Sequence, residues 1–254
     1  LYFLILMIIH PFYIVILASL LNYQKYNLYF KYFLSLLTII PIVLLLMSQP
    51  DLGQSILIIL TWLVLIFISG INLLIFFGLF GFFITIISYL IFFVEKFNYI
   101  KIRIASFFDN SSNSYSQAEK ASEAIIDGGF FGKGIGEGTL NSKIPEAHTD
   151  FIVSVISEEF GIIIILLIML AFIFFAYRIF KKIREINDNI FKMTLTGLIS
   201  ILLMQVFVHV GVNLRVLPTT GMTLPYLSYG GSSIVSISII SGIILNLTKR
   251  RVFN

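Results

Sequence analysis

The sequence has no cysteine and few charges: only 12% of its 254 residues are Asp, Glu, Lys or Arg. The absence of cysteine excludes a disulfide, although it does not identify the cellular compartment. A soluble domain has about 25% charged residues, so this chain cannot cover one globule with polar surface. Disorder is also excluded, because disordered chains combine low hydrophobicity with high net charge. Here 58% of the residues are hydrophobic, and the mean hydropathy is +1.00.

What the sequence does contain is a series of long apolar segments. A helix needs about 20 apolar residues to cross the roughly 30 Å hydrocarbon core of a bilayer. The uncharged stretch 52–94 is too long for one crossing, and a Ser-Gly-Ile-Asn break at 69–72 divides it into a helical hairpin. We therefore predict an all-α polytopic membrane protein with about seven transmembrane helices. These cover residues 1–21, 32–48, 53–69, 73–94, 161–180, 193–214 and 226–247.

The basic residues predict the orientation of these helices, since short cytoplasmic loops are enriched in Lys and Arg. With seven crossings, loops 22–31 and 178–192 and the C-terminal tail share one side, with ten basic and two acidic residues, or +8. The other side has seven basic and eleven acidic residues, or −4. The tail is therefore predicted to be cytoplasmic. The pI near 9.2 then reflects membrane topology and does not indicate nucleic-acid binding.

The predicted helices divide the chain into three regions. Residues 1–94 contain four transmembrane helices, residues 95–159 form a large extracytoplasmic loop, and residues 160–254 contain three helices and the basic tail. The first helix starts at Leu1 without a Met or a basic flank. It is also too long for a cleaved signal peptide, whose apolar core is about 7–15 residues. We interpret this start as a sign of a truncated chain.

The large loop contains two local patterns. Residues 114–117 (Ser-Tyr-Ser-Gln) fit a capping box, and apolar residues then recur at helical spacing up to Gly128. This predicts a short amphipathic helix on the membrane surface, with a solvated connector as the alternative. Residues 128–138 are rich in glycine, but no strand precedes them, and Gly134 follows Lys133 where a P-loop needs Ser or Thr. We therefore expect a tight, re-entrant backbone with positive φ angles.

A cluster of acids and a histidine follows at the predicted bilayer edge, with Glu146, His148 and Asp150 preceding Glu158 and Glu159. Ionisable residues are costly there, so they are a functional hypothesis by default. Interfacial charge, or helix capping by Asp150, is the simpler interpretation. A metal site from Glu146, His148 and Asp150 is disfavoured, because their alternate spacing matches neither a helix face nor a usual zinc pattern.

Residues 213–233 form the last outward loop, with two prolines and three glycines. Such breaks at membrane depth are tolerated only where the backbone is buried or lines a polar cavity, so we predict a cavity wall. Arg215 would bind an anion there or extend to the membrane interface. Asp51 is interpreted as a helix N-cap, and His10 and His209 as buried, hydrogen-bonded packing residues.

Four motifs together resemble the SEDS (shape, elongation, division and sporulation) family. They are residues 49–53 (Gln-Pro-Asp-Leu-Gly), 128–138, 145–152 with 158–161, and 221–233. The resemblance runs in order from about residue 10 to the C-terminus. Gly-Met-Thr-Leu-Pro at 221–225 and Gly-Glu-Gly-Thr at 136–139 are more similar to the division-type members than to the elongation-type members.

The resemblance implies a fold of ten helices, with both ends cytoplasmic and the largest outward loop after helix seven. Our seven helices would then be helices four to ten, and the first three would be missing. The family's Gln-Pro-Ser-Glu segment with its following Lys is not visible, and His10 before Pro11 falls near that Lys position. Since that Lys lines the cavity of the catalytic acid, an inactive remnant or a scaffold stays an alternative.

Family members polymerise lipid II, so the resemblance implies a peptidoglycan glycosyltransferase of septal wall synthesis in the bacterial inner membrane. Asp150 would be the catalytic residue, a general base for the attacking sugar hydroxyl. The substrate-binding residues would be Glu146, His148, Lys133, Arg215 and Ser232. Lys133, Arg215 or a divalent cation such as Mg²⁺ would neutralise the departing diphosphate.

The resemblance also implies partners, namely a class B penicillin-binding protein and other division proteins. A lipid II flippase or other transporter is the competing hypothesis. A transporter would predict polar residues along several helices, whereas the charges outside the basic segments gather on the predicted outer side.

Overall fold

The structure, a computed structural model, describes residues 2–49, 51–108, 113–139 and 146–249. These residues form ten α-helices and one short 3₁₀ turn, Glu95–Phe97, and no β-strand is found among them. The all-α fold is thereby confirmed. The helices are α1 Tyr2–Asn22, α2 Leu28–Ser48, α3 Leu52–Ile68, α4 Leu73–Phe93, α5 Asn98–Phe108, α6 Asn113–Gly128, α7 Ile152–Phe160, α8 Ile162–Glu185, α9 Asn189–Asn213 and α10 Gly231–Thr248.

Five helices, α2, α4, α8, α9 and α10, are long and apolar enough to cross a membrane. Two shorter apolar segments, Ile8–Asn22 in α1 and Leu52–Ile68 in α3, complete the series. Each predicted transmembrane segment therefore falls on a helix.

Two helix ends differ by five residues from the predicted transmembrane segments. The segment predicted at 161–180 continues to Glu185, because a helix can extend past the apolar region with charged residues. The segment predicted at 226–247 begins only at Gly231, since Tyr226 has a left-handed φ of 66° in a turn.

The centre of the bundle lies where α1, α3 and α9 meet. Trp62 of α3 is fully buried, with its ring centroid 5.1 Å from that of Phe83 on α4. Gly197 allows α9 to approach closely, because a Cβ at this position would lie 2.6 Å from Ile14 Cγ2 and 3.1 Å from Leu65 Cδ1. Small residues of this kind let helix backbones pack tightly in membranes. By contrast, α4 leaves most of its side chains exposed, with Phe83 as its buried residue.

The region predicted as a large loop is mostly helical. The predicted amphipathic helix is present as α6, whereas α5 and α7 were not predicted. Helix α6 buries Ala118, Ala121 and Ala124, which recur every three residues, and it packs on α7. Because these side chains are small, the two helix axes come close together.

The glycine-rich residues 128–138 form the tight backbone that the sequence predicts. Positive φ angles occur at Gly129, Gly132, Gly134 and Gly136. A Cβ on Gly132 would collide with the carbonyl oxygen of Glu159. The backbone N–H groups of Lys133 and Gly134 donate to the carbonyl oxygens of Glu158 and Glu159, at 2.9 and 3.1 Å. The segment is therefore a clasp that holds the C-terminal end of α7.

Candidate active site

Asp150 lies at the end of a short turn directly before α7. Its backbone N–H donates to the carbonyl oxygen of Glu146 at 3.0 Å, and the N–H of Thr149 donates to the same oxygen at 3.1 Å. Glu146 has a left-handed φ of 58°, which is uncommon for a residue other than glycine. Strained backbone persists only where the surrounding structure holds it, and it clusters at functional sites. The turn is therefore a candidate site on geometric grounds alone.

Asn213, the last residue of α9, holds this turn in place. Its side chain is fully buried. The Nδ2 group donates to the carbonyl oxygens of Asp150 at 3.1 Å and of His209 at 2.8 Å. The Oδ1 atom accepts from the Ser154 hydroxyl at 2.8 Å. The backbone of Asp150 is thus tied to the helix at the centre of the bundle.

Two more polar side chains of α9 hold residues 219–224, which we call the cavity loop. Gln205, His209 and Asn213 are four residues apart and so lie on one face of α9. Gln205 Nε2 donates to the carbonyl oxygen of Thr223 at 2.9 Å. His209 Nδ1 lies 2.7 Å from the carbonyl oxygen of Met222, to which it donates. This confirms His209 as a buried, hydrogen-bonded residue.

The residues after the cavity loop bind the Asp150 turn from a second direction. The Ser228 hydroxyl donates to the carbonyl oxygen of Thr149 at 2.7 Å. The N–H of Tyr229 donates to the carbonyl oxygen of His148 at 3.0 Å. The turn is therefore clamped between α9 and the segment that leads into α10.

A cavity of about 300 Å³ opens between these segments, and Asp150 and Arg103 are the charged side chains of its wall. Its other lining residues are Gln117, Phe151, Val212, Thr219, Thr220, Gly221 and Met222. The volume is at the lower end of the range for small-molecule pockets, about 300–1,000 Å³. The predicted cavity wall within residues 213–233 is confirmed by the cavity loop.

Burial and, to a smaller extent, the nearby Glu146 carboxylate together raise the pKa of Asp150 to about 6, against the opposing effect of the Arg103 guanidinium. A carboxyl group with this pKa is mostly ionised at neutral pH and is more basic than an ordinary aspartate. It is thus suited to accept a proton in a reaction near neutral pH.

Asp51 confirms its predicted role as a helix N-cap, because its Oδ1 accepts the N–H of Gln54 at 3.1 Å. Its side chain is also electrostatically linked to the site. Burial raises the pKa of Asp51 to about 6, opposed by the Gln54 hydrogen bond and by Arg103, and the charge of Asp150 adds to the rise. Gly53, two residues after Asp51, lies so close to the cavity loop that a Cβ would collide with Met222. The start of α3 therefore packs directly against the cavity loop.

Arg103 is the functional candidate that the sequence analysis missed. It lies on α5, where Nη1 donates to the carbonyl oxygen of Thr219 at 3.5 Å and Cζ is 6.0 Å from the ring centroid of Tyr99. It was missed because residues 95–108 were interpreted as loop. The four-residue spacing of Tyr99 and Arg103, which places both on one face of a helix, is the signal that could have found it.

Lys133 was predicted to bind substrate, but it does not line the cavity. Its Nζ lies 3.2 Å from Asp127 Oδ2 and 3.5 Å from Glu158 Oε1. The Glu158 side chain has no exposed surface, and it also accepts the N–H of Thr139 at 2.8 Å. Lys133 therefore links the clasp to carboxylates of α6 and α7.

Arg215 is likewise outside the cavity wall. Its Nη1 lies 3.8 Å from Glu119 Oε1 on α6, and its backbone has a left-handed φ of 58°. This ion pair links the end of α9 to α6. Neither of the two cations that we expected to neutralise the diphosphate is thus brought next to Asp150 in this structure.

The other three predicted substrate-binding residues have different surroundings. Glu146 accepts the Thr149 hydroxyl at 2.9 Å through Oε2, and His148 exposes its side chain on the same turn. Ser232 lies in the first turn of α10 and is half-buried. The structure therefore places Glu146 and His148 beside Asp150, and their binding roles stay predictions, as does that of Ser232.

In the described ranges, no three acidic or histidine side chains come together in a way that would hold a metal ion. The charge of Asp150 raises the pKa of Asp51, but the two form only a pair of carboxylates. Among the described residues there is thus no ready-made cluster of metal ligands, and we derive no step through a metal.

Comparison with known proteins identifies relatives whose sequences are about one third identical to this chain. A protein of Caulobacter vibrioides named probable peptidoglycan glycosyltransferase FtsW is 35% identical over 209 residues, which cover 82% of this chain and 53% of the relative. Stage V sporulation protein E of Bacillus subtilis is 34% identical over 212 residues, covering 81% and 57%. The chain spans about half the length of these relatives.

Two solved structures share the fold. One is a chain of a peptidoglycan synthase complex, which is described as coordinating polymerization and crosslinking. Its TM-score is 0.79 at 25% sequence identity, and the match covers 98% of this chain and 70% of the solved chain. A mutant of the rod shape determining protein RodA of Thermus thermophilus has a TM-score of 0.67 at 25% identity, covering 98% and 67%.

The family resemblance expected from the motifs is confirmed over almost the whole chain. The model of the cell cycle protein family that includes FtsW, RodA and SpoVE matches residues 7–252. With its apolar helices, this match identifies a multi-pass protein of the inner membrane. The chain therefore belongs to the FtsW, RodA and SpoVE family of cell cycle proteins.

Proposed function

We propose that the full-length protein is a peptidoglycan glycosyltransferase that polymerises lipid II for septal wall synthesis. The observation that carries this proposal is the half-buried Asp150 carboxylate in a cavity of about 300 Å³, next to Arg103. One positioned base and one cation are the groups that this transfer needs. The names of the FtsW relatives support the same activity and its role in division.

In the proposed reaction, the 4-hydroxyl of one lipid-linked disaccharide attacks the anomeric carbon of another. The new carbon–oxygen bond forms as the bond to the diphosphate breaks, and the hydroxyl proton passes to the carboxylate of Asp150. General base catalysis of this kind contributes about 10²- to 10⁴-fold in rate. A second carboxylic acid is not required, because the departing undecaprenyl diphosphate is already a stable anion.

Arg103 is the cation that we assign to the diphosphate. It shares the cavity wall with Asp150, whereas Lys133 and Arg215 pair with carboxylates outside that wall. A guanidinium suits this role because its planar donors match phosphate oxygens. Glu146 and His148 are proposed to contact the sugars at the mouth of the cavity, and Ser232 to contact substrate from the start of α10.

The proposed orientation follows from the charges. The Asp150 end of α8 faces the outside of the cell, and the basic end with Lys181 and Lys182 faces the cytoplasm, as short basic loops favour. The sugars would then meet Asp150 outside the membrane, while the polyprenyl chain stays in the bilayer.

A class B penicillin-binding protein is the partner that we propose. It would crosslink the strands that this chain polymerises, together with other division proteins. The structural similarity to a chain of a peptidoglycan synthase complex supports this arrangement.

The test is polymerisation of purified lipid II by the purified full-length protein, with and without a class B penicillin-binding protein. Glycan strands are separated on gels and quantified. We expect Asp150→Asn to reduce the rate at least about 100-fold. Asp188→Asn is the matched control: it makes the same chemical change at the N-cap of α9, where Asn caps equally well.

Two results would contradict the proposal. If Asp150→Asn polymerises lipid II as fast as the wild type, the catalytic assignment is wrong. If the wild type forms no strands but scrambles labelled lipid II in proteoliposomes, and Asp150→Asn scrambles it equally, the protein is a transporter.

A further inference from the structure

A second cavity lies at the opposite end of α8 from Asp150. It has a volume of about 500 Å³ and is bordered by the last turns of α8 and α10. Its lining residues on α8 begin at Phe175, which is about 20 Å along the helix from Ile162, the end that is nearer the Asp150 turn. We call this cavity the α8–α10 groove. The glycosyltransferase mechanism makes no use of it.

The groove has a charged rim. Arg178, Lys181, Lys182 and Glu185 line it, so three basic side chains face one acidic side chain, a balance of +2. Lys182 Nζ lies 2.6 Å from Glu185 Oε2 and is thus paired. Arg178 and Lys181 are exposed, and neither forms an ion pair within the described part of the chain. Two cations therefore remain available to an anion.

The wall below this rim is apolar. Phe175 and Ile179 of α8 and Ile244 and Leu245 of α10 line the same groove. Leu245 is 67% exposed, and Phe175 is partly buried. A ligand in the groove would therefore contact basic side chains at the rim and apolar side chains along the rest of the wall.

The enrichment of basic residues in cytoplasmic loops explains why cations are numerous at this end of the helices. It does not explain why two of them border a cavity whose wall continues into the apolar part of two membrane helices. Basic pockets of this kind between transmembrane helices bind the headgroups of anionic lipids. A free phosphate would make no use of the apolar wall.

We propose that the α8–α10 groove binds one anionic phospholipid of the membrane. The phosphate is held by Arg178 and Lys181, and an acyl chain covers Phe175, Ile179 and Leu245. This site is independent of the proposed glycosyltransferase activity, since it lies at the far end of α8.

The experiment measures phosphatidylglycerol binding to the purified full-length protein by native mass spectrometry in detergent. We expect Arg178→Gln/Lys181→Gln to weaken this binding about tenfold or more, given the attraction of each cation for an anionic headgroup. Arg184→Gln/Lys192→Gln is the matched control, because it removes two charges from the same basic segment, at the end of α8 and the start of α9, without changing a residue that lines the groove. The control variant should bind like the wild type.

Equal losses in both double variants would overturn the proposal, because the effect would then be one of overall charge. So would equal binding of phosphatidylcholine, or displacement of the lipid by millimolar inorganic phosphate, which would indicate a site for free phosphate. If the groove variant aggregates, Lys181→Gln is compared with Arg184→Gln by the same criteria.

Discussion

The side-chain amide of Asn213 donates a hydrogen bond to the backbone carbonyl of Asp150 at 3.1 Å, across 63 residues of sequence. The same amide binds His209 and Ser154, so it joins α9, the Asp150 turn and the start of α7. Asn213 does not line the cavity. We therefore regard it as a positioning residue for the proposed base.

The first prediction concerns this residue. Asn213→Ala should lower kcat about 10- to 100-fold with little change in KM, because a small displacement of a catalytic group has effects of that size. The lost buried hydrogen bonds should also cost about 2 kcal/mol of stability. Steady-state kinetics with lipid II and thermal unfolding measure the two effects. Asn246→Ala, which changes an exposed residue of α10, is the control. If a folded Asn213→Ala protein has the kcat of the wild type, Asn213 does not position Asp150.

The second prediction is a pH dependence. Asp150 works as a base only when ionised, and its pKa is about 6. Activity should therefore be full well above pH 6 and fall about tenfold per pH unit below it. The pKa of Asp51 is also about 6, so Asp51→Asn, which keeps the N-cap, is the control. This variant should retain the fall in activity at low pH, which we call the acidic limb of the pH profile. A profile that is flat between pH 5 and 8 would exclude Asp150 as the base.

The third prediction uses the charge next to Asp150. Glu146→Gln removes a negative charge that raises the Asp150 pKa, so the acidic limb should move to lower pH. The shift should be a fraction of a pH unit, because the Glu146 carboxylate is exposed and screened by water. Arg103→Gln should move the limb to higher pH, since Arg103 acts in the opposite direction. Glu137→Gln, an exposed change in the clasp, should leave the limb unchanged.

The fourth prediction separates the three cations. Arg103→Gln should lower kcat about 100-fold or more if Arg103 stabilises the departing diphosphate, as for the loss of one donor to a developing anion. Lys133→Gln and Arg215→Gln should instead reduce thermal stability with little change in kcat, because their partners are Glu158 and Glu119. The same polymerisation assay compares all three variants. If Lys133→Gln or Arg215→Gln lowers kcat more than Arg103→Gln does, that residue would be assigned to the diphosphate instead.

The fifth prediction tests the clasp. A Cβ on Gly128 would collide with the carbonyl oxygen of Ser157. Gly128→Ala should therefore destabilise the fold by about 1–3 kcal/mol, the usual cost of overpacking. Gly78 of α4 has no atom within 4 Å of the corresponding position, so Gly78→Ala should be neutral or slightly stabilising. Thermal unfolding compares the pair, and similar unfolding temperatures would contradict the close approach of α6 and α7.

The sequence predicted the features that depend on neighbouring residues. Runs of apolar residues located the helices, because the length of an apolar run is read directly against the thickness of a bilayer. The glycines of residues 128–138 predicted positive φ angles, since glycine has no Cβ to oppose them. Asp51 was recognised as a cap because an aspartate directly before an apolar run is a local signal.

Features that depend on distant contacts have no such local signal. Lys133 and Arg215 were predicted as candidates to neutralise the diphosphate. The structure gives each a carboxylate partner outside the cavity wall, and their binding roles stay predictions. Arg103 was overlooked because α5 carries no strong apolar pattern, and its link to Thr219 spans 116 residues.

By itself, the sequence determined that this is an all-α membrane protein, where its long apolar helices lie, and which family its motifs resemble. Each of these follows from local composition and order. Only the tertiary structure decided that Arg103 shares a cavity with Asp150, that Asn213 holds the turn, and that Lys133 pairs with Glu158. The physical reason is that α9 and the cavity loop bring together side chains whose separation in the chain carries no local signal.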